Sequence, residues 1–132
     1  MIAHSEKMEF LHGACVEFAC ALHDKYGYPV EHIRRPNGAL IHAYCLANKR
    51  DLRVFIDIRG IQKNWIDFIE PYYREIKEVY SASGVDPNDY HLLNKYFEDD
   101  PHRVFRNDEI LYKKAELIIS DNDDIYNLTK LI

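Results

Sequence analysis

The sequence predicts an α+β fold, and three observations carry that expectation. A helical period of apolar residues runs through "GACVEFACALHDKYG". Two apolar segments rich in aromatic and β-branched residues, "LIHAYCL" and "LRVFIDI", flank the polar "ANKRD". After Gly60 the chain changes to longer segments with helical spacing. The expected architecture is an N-terminal helix carrying Cys15, packed on a small antiparallel sheet of two or three strands, with the hairpin at about residues 40–58 and three to four C-terminal helices behind it. All of it is expected to form a single domain over residues 1–132.

The first helix is expected over residues 13–26. Val16, Ala19, Cys20 and His23 recur on one stripe, with Phe18 and Leu22 beside them, and Gly27 stands where a left-handed C-terminal cap falls. "YPVEHI" reads as a short strand that stops at the turn-forming "RRPNGA". The hairpin follows. Among the later segments, Pro71 kinks or divides "NWIDFIEPYYREIKEVYSA". "DPNDYHLLNKYFED" reads as a helix opened by Asp86 and Pro87, "NDEILYKKAELIIS" as one opened by Asn107 or Asp108, and "DNDDIYNLTKLI" as a shorter one opened by Asp121. Helical spacing assigns "WIDFIEPYY" and Tyr80, Tyr90, Tyr96 and Tyr112 to the core with wet hydroxyls; a groove wall is the other reading.

Composition narrows the classes. A chain of 132 residues with 47% hydrophobic residues is large enough to bury a core. A net charge of -5 with scattered basic residues excludes a general nucleic-acid binder, which needs a clustered basic surface to displace counterions. The 3 cysteines show no C-x-x-C pair, so neither a disulfide framework nor a zinc ribbon is expected and a reducing cytoplasm fits best. Cys15 and Cys20 diverge by about 140° around an ideal helix, which argues against a metal site with His12 and His23; no metal and no cofactor are expected. "MIAHSEKMEF" lacks the basic start and apolar run of a secretory signal, and no window nears the roughly 18 apolar residues of a membrane span.

The hairpin supplies the chemistry. With its loop centred between Lys49 and Arg50, His42 and Asp57 lie directly opposite each other, on one face, with Cβ atoms about 4.5–5.5 Å apart. A carboxylate at one ring nitrogen fixes the tautomer and orientation of a histidine and leaves the other nitrogen free to act on a third group. Cys15 is the expected third group. The first turn of a helix favours a thiolate through its oriented amides and dipole, and a neighbouring imidazole completes the activation. Gly13 permits close approach ahead of Cys15, whose own amide is placed to contribute to an oxyanion hole; the side chains of His12 and Gln62 are candidates for the second donor. Each residue also has a plainer reading: Cys15 as a buried filler at a helix start, His42 as a strand histidine bonded to a carbonyl, and Asp57 as a strand-end residue bonding the "RG" turn or pairing with Arg59 or Arg53. Cys20 and Cys45 are expected in the core.

A nucleophilic cysteine on an N-terminal helix, followed by histidine and aspartate on neighbouring antiparallel strands, resembles the papain-like superfamily in its transglutaminase-like and NlpC/P60-like arrangement. The resemblance lies in "GACVEFACAL", "IHAYCL" and "FIDIRG", roughly the first half of the chain, and these segments also resemble small proteins of phages and mobile elements. It implies a Cys15, His42, Asp57 triad acting on an amide or thioester in a protein or peptide-like substrate, as an amidase, peptidase, deamidase or transglutaminase. The other expectation is a non-catalytic factor on the same fold that binds a host protein, with its acidic charge and tyrosines suited to a basic protein face.

Overall fold

The computed structural model describes residues 2–104 and 106–130. Two helices open the chain, α1 (His4–His12) and α2 (Cys15–Tyr26), and four strands follow: β1 (Val30–Arg34), β2 (Leu40–Lys49), β3 (Leu52–Asp57) and β4 (Gly60–Gln62). Next come α3 (Trp65–Ile69), a 3-10 turn (Glu70–Tyr72) and α4 (Tyr73–Val79), then β5 (Lys95–Glu98) and the helices α5 (Pro101–Val104), α6 (Glu109–Asp121) and α7 (Asp123–Tyr126). The fold is α+β as expected, but the sheet has five antiparallel strands in the order β4-β3-β2-β1-β5, more than the two or three expected.

Helix α2 forms because Cys15, Phe18, Ala19 and Leu22 repeat at helical spacing and are all buried. It ends at Gly27, which takes the left-handed conformation at φ 77° and donates its N–H to the carbonyl of His23 at 2.8 Å. Along β2, small Ala43, Cys45 and Ala47 alternate with large His42, Tyr44 and Leu46. The small set lets α2 come close, and the thiol of Cys45 reaches the carbonyl of Ala19 at 3.4 Å. α6 lies along α2, its N-terminus capped by Asp108, whose Oδ1 accepts from the amide of Leu111 at 3.0 Å. The opposite face carries Tyr44 and Phe55 into an aromatic layer with Trp65 and Phe68 of α3 and with Tyr90. Pro71 divides the helical segment between α3 and α4 as its ring geometry requires.

Several expectations are corrected. The hairpin loop is Arg50-Asp51, one residue later than expected, and both residues have positive φ (52° and 66°). That is the primed turn whose twist matches a two-residue hairpin, and aspartate tolerates it. Residues 86–99 do not form a helix. Asp86 and Asp89 spend their carboxylates on the amides of Asn88 (2.9 Å) and His91 (3.0 Å), local turns that compete with a helix, and Lys95–Glu98 adds instead as a strand to β1. Helix α1 was not expected; only Phe10 and Leu11 of its nine residues are buried, so its pattern is weak. Asp121 ends α6 instead of capping the last segment, where α7 starts at Asp123; residues 131–132 of that segment lie outside the described residues. Among the described residues, no helix is long and apolar enough to cross a membrane.

Candidate active site

The three predicted residues come together where the β2–β3 ladder ends. The pairing of β2 with β3 stops at Cys45 with Ile56, and β3 turns away through Ile58 and Arg59 into β4, with Asp57 paired to Gly60. Ala43, which alternation directs toward β3, lies beyond the end of that pairing among the described residues; its N–H points to the sulfur of Cys15 at 3.5 Å. The first residue of α2 thus fills the vacated edge of β2.

His42 and Asp57 lie on the other face of the same strands. One step beyond Cys45 and Ile56 sets Asp57 level with Tyr44, so His42 is its diagonal neighbour and not its opposite, which corrects the expected register. The imidazole still reaches: Nε2 of His42 lies 2.9 Å from Oδ2 of Asp57, with the side chains 0% and 3% exposed. Asp57 also organises its own turn. Its Oδ1 accepts from the amide of Arg59 at 2.9 Å, and the guanidinium clamps both oxygens, Nη2 to Oδ2 at 2.6 Å and Nε to Oδ1 at 3.0 Å. The plainer reading of Asp57, bonding the turn and Arg59, therefore holds together with the histidine contact.

Burial and charge pull these groups in opposite directions. Full burial favours a neutral imidazole, but the hydrogen bond to Asp57 and the neighbouring Cys15 thiol outweigh it, and His42 is held above the ordinary histidine range. Burial likewise favours a protonated Asp57, and the hydrogen bonds and charges of His42 and Arg59 outweigh that, holding the carboxyl below the usual carboxylate range. The Asp57 carboxylate thus favours a proton on the His42 ring. Nδ1 of His42 is buried, and among the described residues it has no partner at ordinary hydrogen-bond geometry.

One neighbour, Tyr72, escaped the sequence reading, and Arg59 was read only as a partner of Asp57. Tyr72, from the turn that Pro71 forces, stacks on the His42 ring at 4.3 Å between centroids and 22° between planes, and donates its hydroxyl to the carbonyl of Leu11 at 2.6 Å. Arg59 rests its guanidinium 4.7 Å from the ring centre of Phe68, which itself sits 5.8 Å from His42. "EPYY" does signal a proline-broken helix and "DIRG" a carboxylate beside a base, but neither spacing reveals which tyrosine meets the imidazole.

The oxyanion candidates fare differently. His12 is exposed and touches the Tyr72 ring at 5.9 Å, Gln62 pairs with Phe55 on β4, and among the described residues neither side chain hydrogen-bonds to Cys15. Cys20 and Cys45 are buried as expected. Among the described residues, no three His, Cys, Asp or Glu side chains are grouped to hold a metal ion. Comparison with protein-family models, with curated proteins and with solved structures returns no match, so the papain-like resemblance rests on these residues and their arrangement alone.

Proposed function

We propose that the protein is a cysteine-nucleophile hydrolase or acyl-transfer enzyme in which Cys15 attacks, His42 moves the proton and Asp57 orients His42. The observation that supports this reading most is the division of labour on one imidazole: Nε2 is committed to Asp57 at 2.9 Å while buried Nδ1 is left without a partner among the described residues, beside the Cys15 thiol. In the reaction, Nδ1 takes the thiol proton as sulfur bonds to the carbonyl carbon of an amide or thioester. The bond to the leaving amine or thiol then breaks, and that group takes the proton back from His42. Water cleaves the resulting thioester in a peptidase, amidase or deamidase, and an amine cleaves it in a transglutaminase.

Alkylation by iodoacetamide tests the reading, followed by mass spectrometry to locate the adduct, with Cys20→Ala and Cys45→Ala removing background. Rapid labelling of Cys15 at about pH 6 that collapses in His42→Ala supports an activated nucleophile. Equal, slow labelling in both sinks it.

Burial favours a second reading. His42 is 0% exposed, Cys15 only 8%, and Tyr72 stacks across the imidazole. On a closed site of this kind the same fold serves as a non-catalytic binding factor, and slow labelling in the alkylation experiment is what that reading expects.

A further inference from the structure

β5 ends the sheet, and its outer edge is built to pair. The amide of Leu46 donates to the carbonyl of Pro29 at 3.0 Å, which fixes the hydrogen-bonding phase of the β1–β2 ladder. Glu31 and Ile33 then turn their backbone groups toward β2, and Val30 and His32 turn theirs toward β5, where their partners are Glu98 and Tyr96. Lys95 and Phe97 are left with N–H and C=O directed outward, at the terminal position of the sheet. The strand is only four residues long and opens with a lysine, as guarded edges do, yet it presents two large rings to solvent: Phe97 is 61% and Tyr96 49% exposed.

Charge selects what fits this edge. The strand starts with Lys95 and runs into Glu98, Asp99 and Asp100, so base stands at one end and acid at the other; the Lys95 ammonium already donates to the carbonyls of Tyr90 and Leu93, which leaves one of its three N–H groups for a carboxylate. A strand of the same sequence laid antiparallel reverses that order. Outward groups must meet outward groups, and the register that centres Phe97 on Phe97 of the second copy meets this condition. It sets Lys95 opposite Asp99 of the second copy on both sides of the two-fold axis, and brings the two exposed phenyl rings together on one face. Glu98, held by Nε2 of His32 at 3.0 Å, and Tyr96, stacked on that imidazole at 5.4 Å, form the neighbouring pair on the other face.

We propose that β5 is a self-association edge through which a second copy of this chain pairs antiparallel, joining two five-stranded sheets about a two-fold axis at Phe97. It is independent of whether Cys15 is catalytic. Sedimentation velocity of the full chain across a concentration series should show a reversible monomer–dimer equilibrium, weakened about tenfold or more by Phe97→Asp with the thermal melt of the monomer retained. Asp99→Lys should weaken the dimer by setting Lys95 against lysine, and Lys95→Asp combined with Asp99→Lys should restore it. Phe97→Cys should cross-link into a disulfide dimer under mild oxidation, since the central pair lies within disulfide reach, while Leu92→Cys, exposed but outside the strand, should not. A chain that stays monomeric at every concentration overturns the proposal. So does a dimer that Phe97→Asp leaves intact, because the copies then meet elsewhere.

Discussion

Asp57 accepts a hydrogen bond from Nε2 of His42 at 2.9 Å from a position diagonal to it across the sheet, one step beyond the pairing of Cys45 with Ile56. The diagonal is what makes room for a second partner. With Tyr44 level with Asp57, the carboxylate sits at the corner of the β3–β4 turn, where Arg59 reaches both of its oxygens from the far side. The histidine contact and the turn are therefore one construction.

Asp57→Asn keeps the shape of that corner and removes its charge. Losing one member of a buried charged pair costs about 3–5 kcal/mol, and the 16% exposure of the Arg59 side chain places the loss toward the lower figure. Urea denaturation measures it. An NMR titration of the His42 ring should show its pKa lower than in the unaltered protein, because burial is then opposed less. An unmoved His42 titration would mean that Asp57 does not hold the imidazolium.

The pH dependence of stability follows from the two shifts. His42 is raised above its unfolded value, so its contribution is complete below about pH 6.5 and is lost as pH rises through the higher native pKa. Asp57 is depressed, so its contribution is complete above about pH 3.9 and is lost as pH falls through the lower native pKa. Glu31, raised by burial against the bonds from Tyr90, also loses its contribution as pH rises. In a Glu31→Gln background, denaturant midpoints should therefore decline on the alkaline side through His42, and His42→Gln should flatten that limb. An alkaline limb that survives both substitutions assigns it to another group.

Face and register were legible in the sequence to different degrees. Side chains alternate with a period of two, so an error of one residue in the loop centre displaces each partner by two positions and leaves it on the same face. His42 and Asp57 were for that reason correctly paired from a wrong register. The turn was misplaced because Arg50-Asp51 carries no glycine or asparagine to mark its left-handed residues. Residues 86–99 misled for a different reason. "YHLLNKYF" has helical spacing, but its strand exists only because β1 offers a long-range edge, which no local pattern encodes. Tyr72 was hidden among adjacent aromatics, since the Pro71 turn alone decides which ring faces His42.

Tyr72 closes the site from α3's side of the sheet, and two substitutions separate its ring from its hydroxyl. Tyr72→Phe keeps the ring on His42 and leaves the Leu11 carbonyl without its 2.6 Å partner, a loss of about 1–3 kcal/mol. Tyr72→Ala uncovers the imidazole and should cost about 3–5 kcal/mol, as for other large buried rings. Labelling of Cys15 by iodoacetamide should accelerate in Tyr72→Ala and not in Tyr72→Phe. If both label at the unaltered rate, the ring is not the cover over the thiol.

The C-terminal segment holds the same corner from the opposite face. Tyr126 donates its hydroxyl to the carbonyl of Ile58, between Asp57 and Arg59, at 2.6 Å, and its ring meets Phe18 of α2 at 5.3 Å. One side chain therefore ties the helix that carries Cys15 to the turn that carries Asp57. The turn leans on α7 a second time at Gly60, where φ is +104° and an added Cβ would stand 3.3 Å from the carbonyl of Ile125. Tyr126→Phe should cost about 1–3 kcal/mol by orphaning the Ile58 carbonyl, and Gly60→Ala at least about 1 kcal/mol through backbone strain and the Ile125 contact. Because both act on one contact between α7 and the turn, their effects should depart from additivity by about 0.5 kcal/mol or more in a double-mutant cycle. The combined variant should also expose the Arg59 amide, now bonded to Asp57 at 2.9 Å, to faster hydrogen exchange. Strict additivity with unchanged exchange at Arg59 would show that α7 merely covers the sheet and does not hold the Asp57 turn against α2.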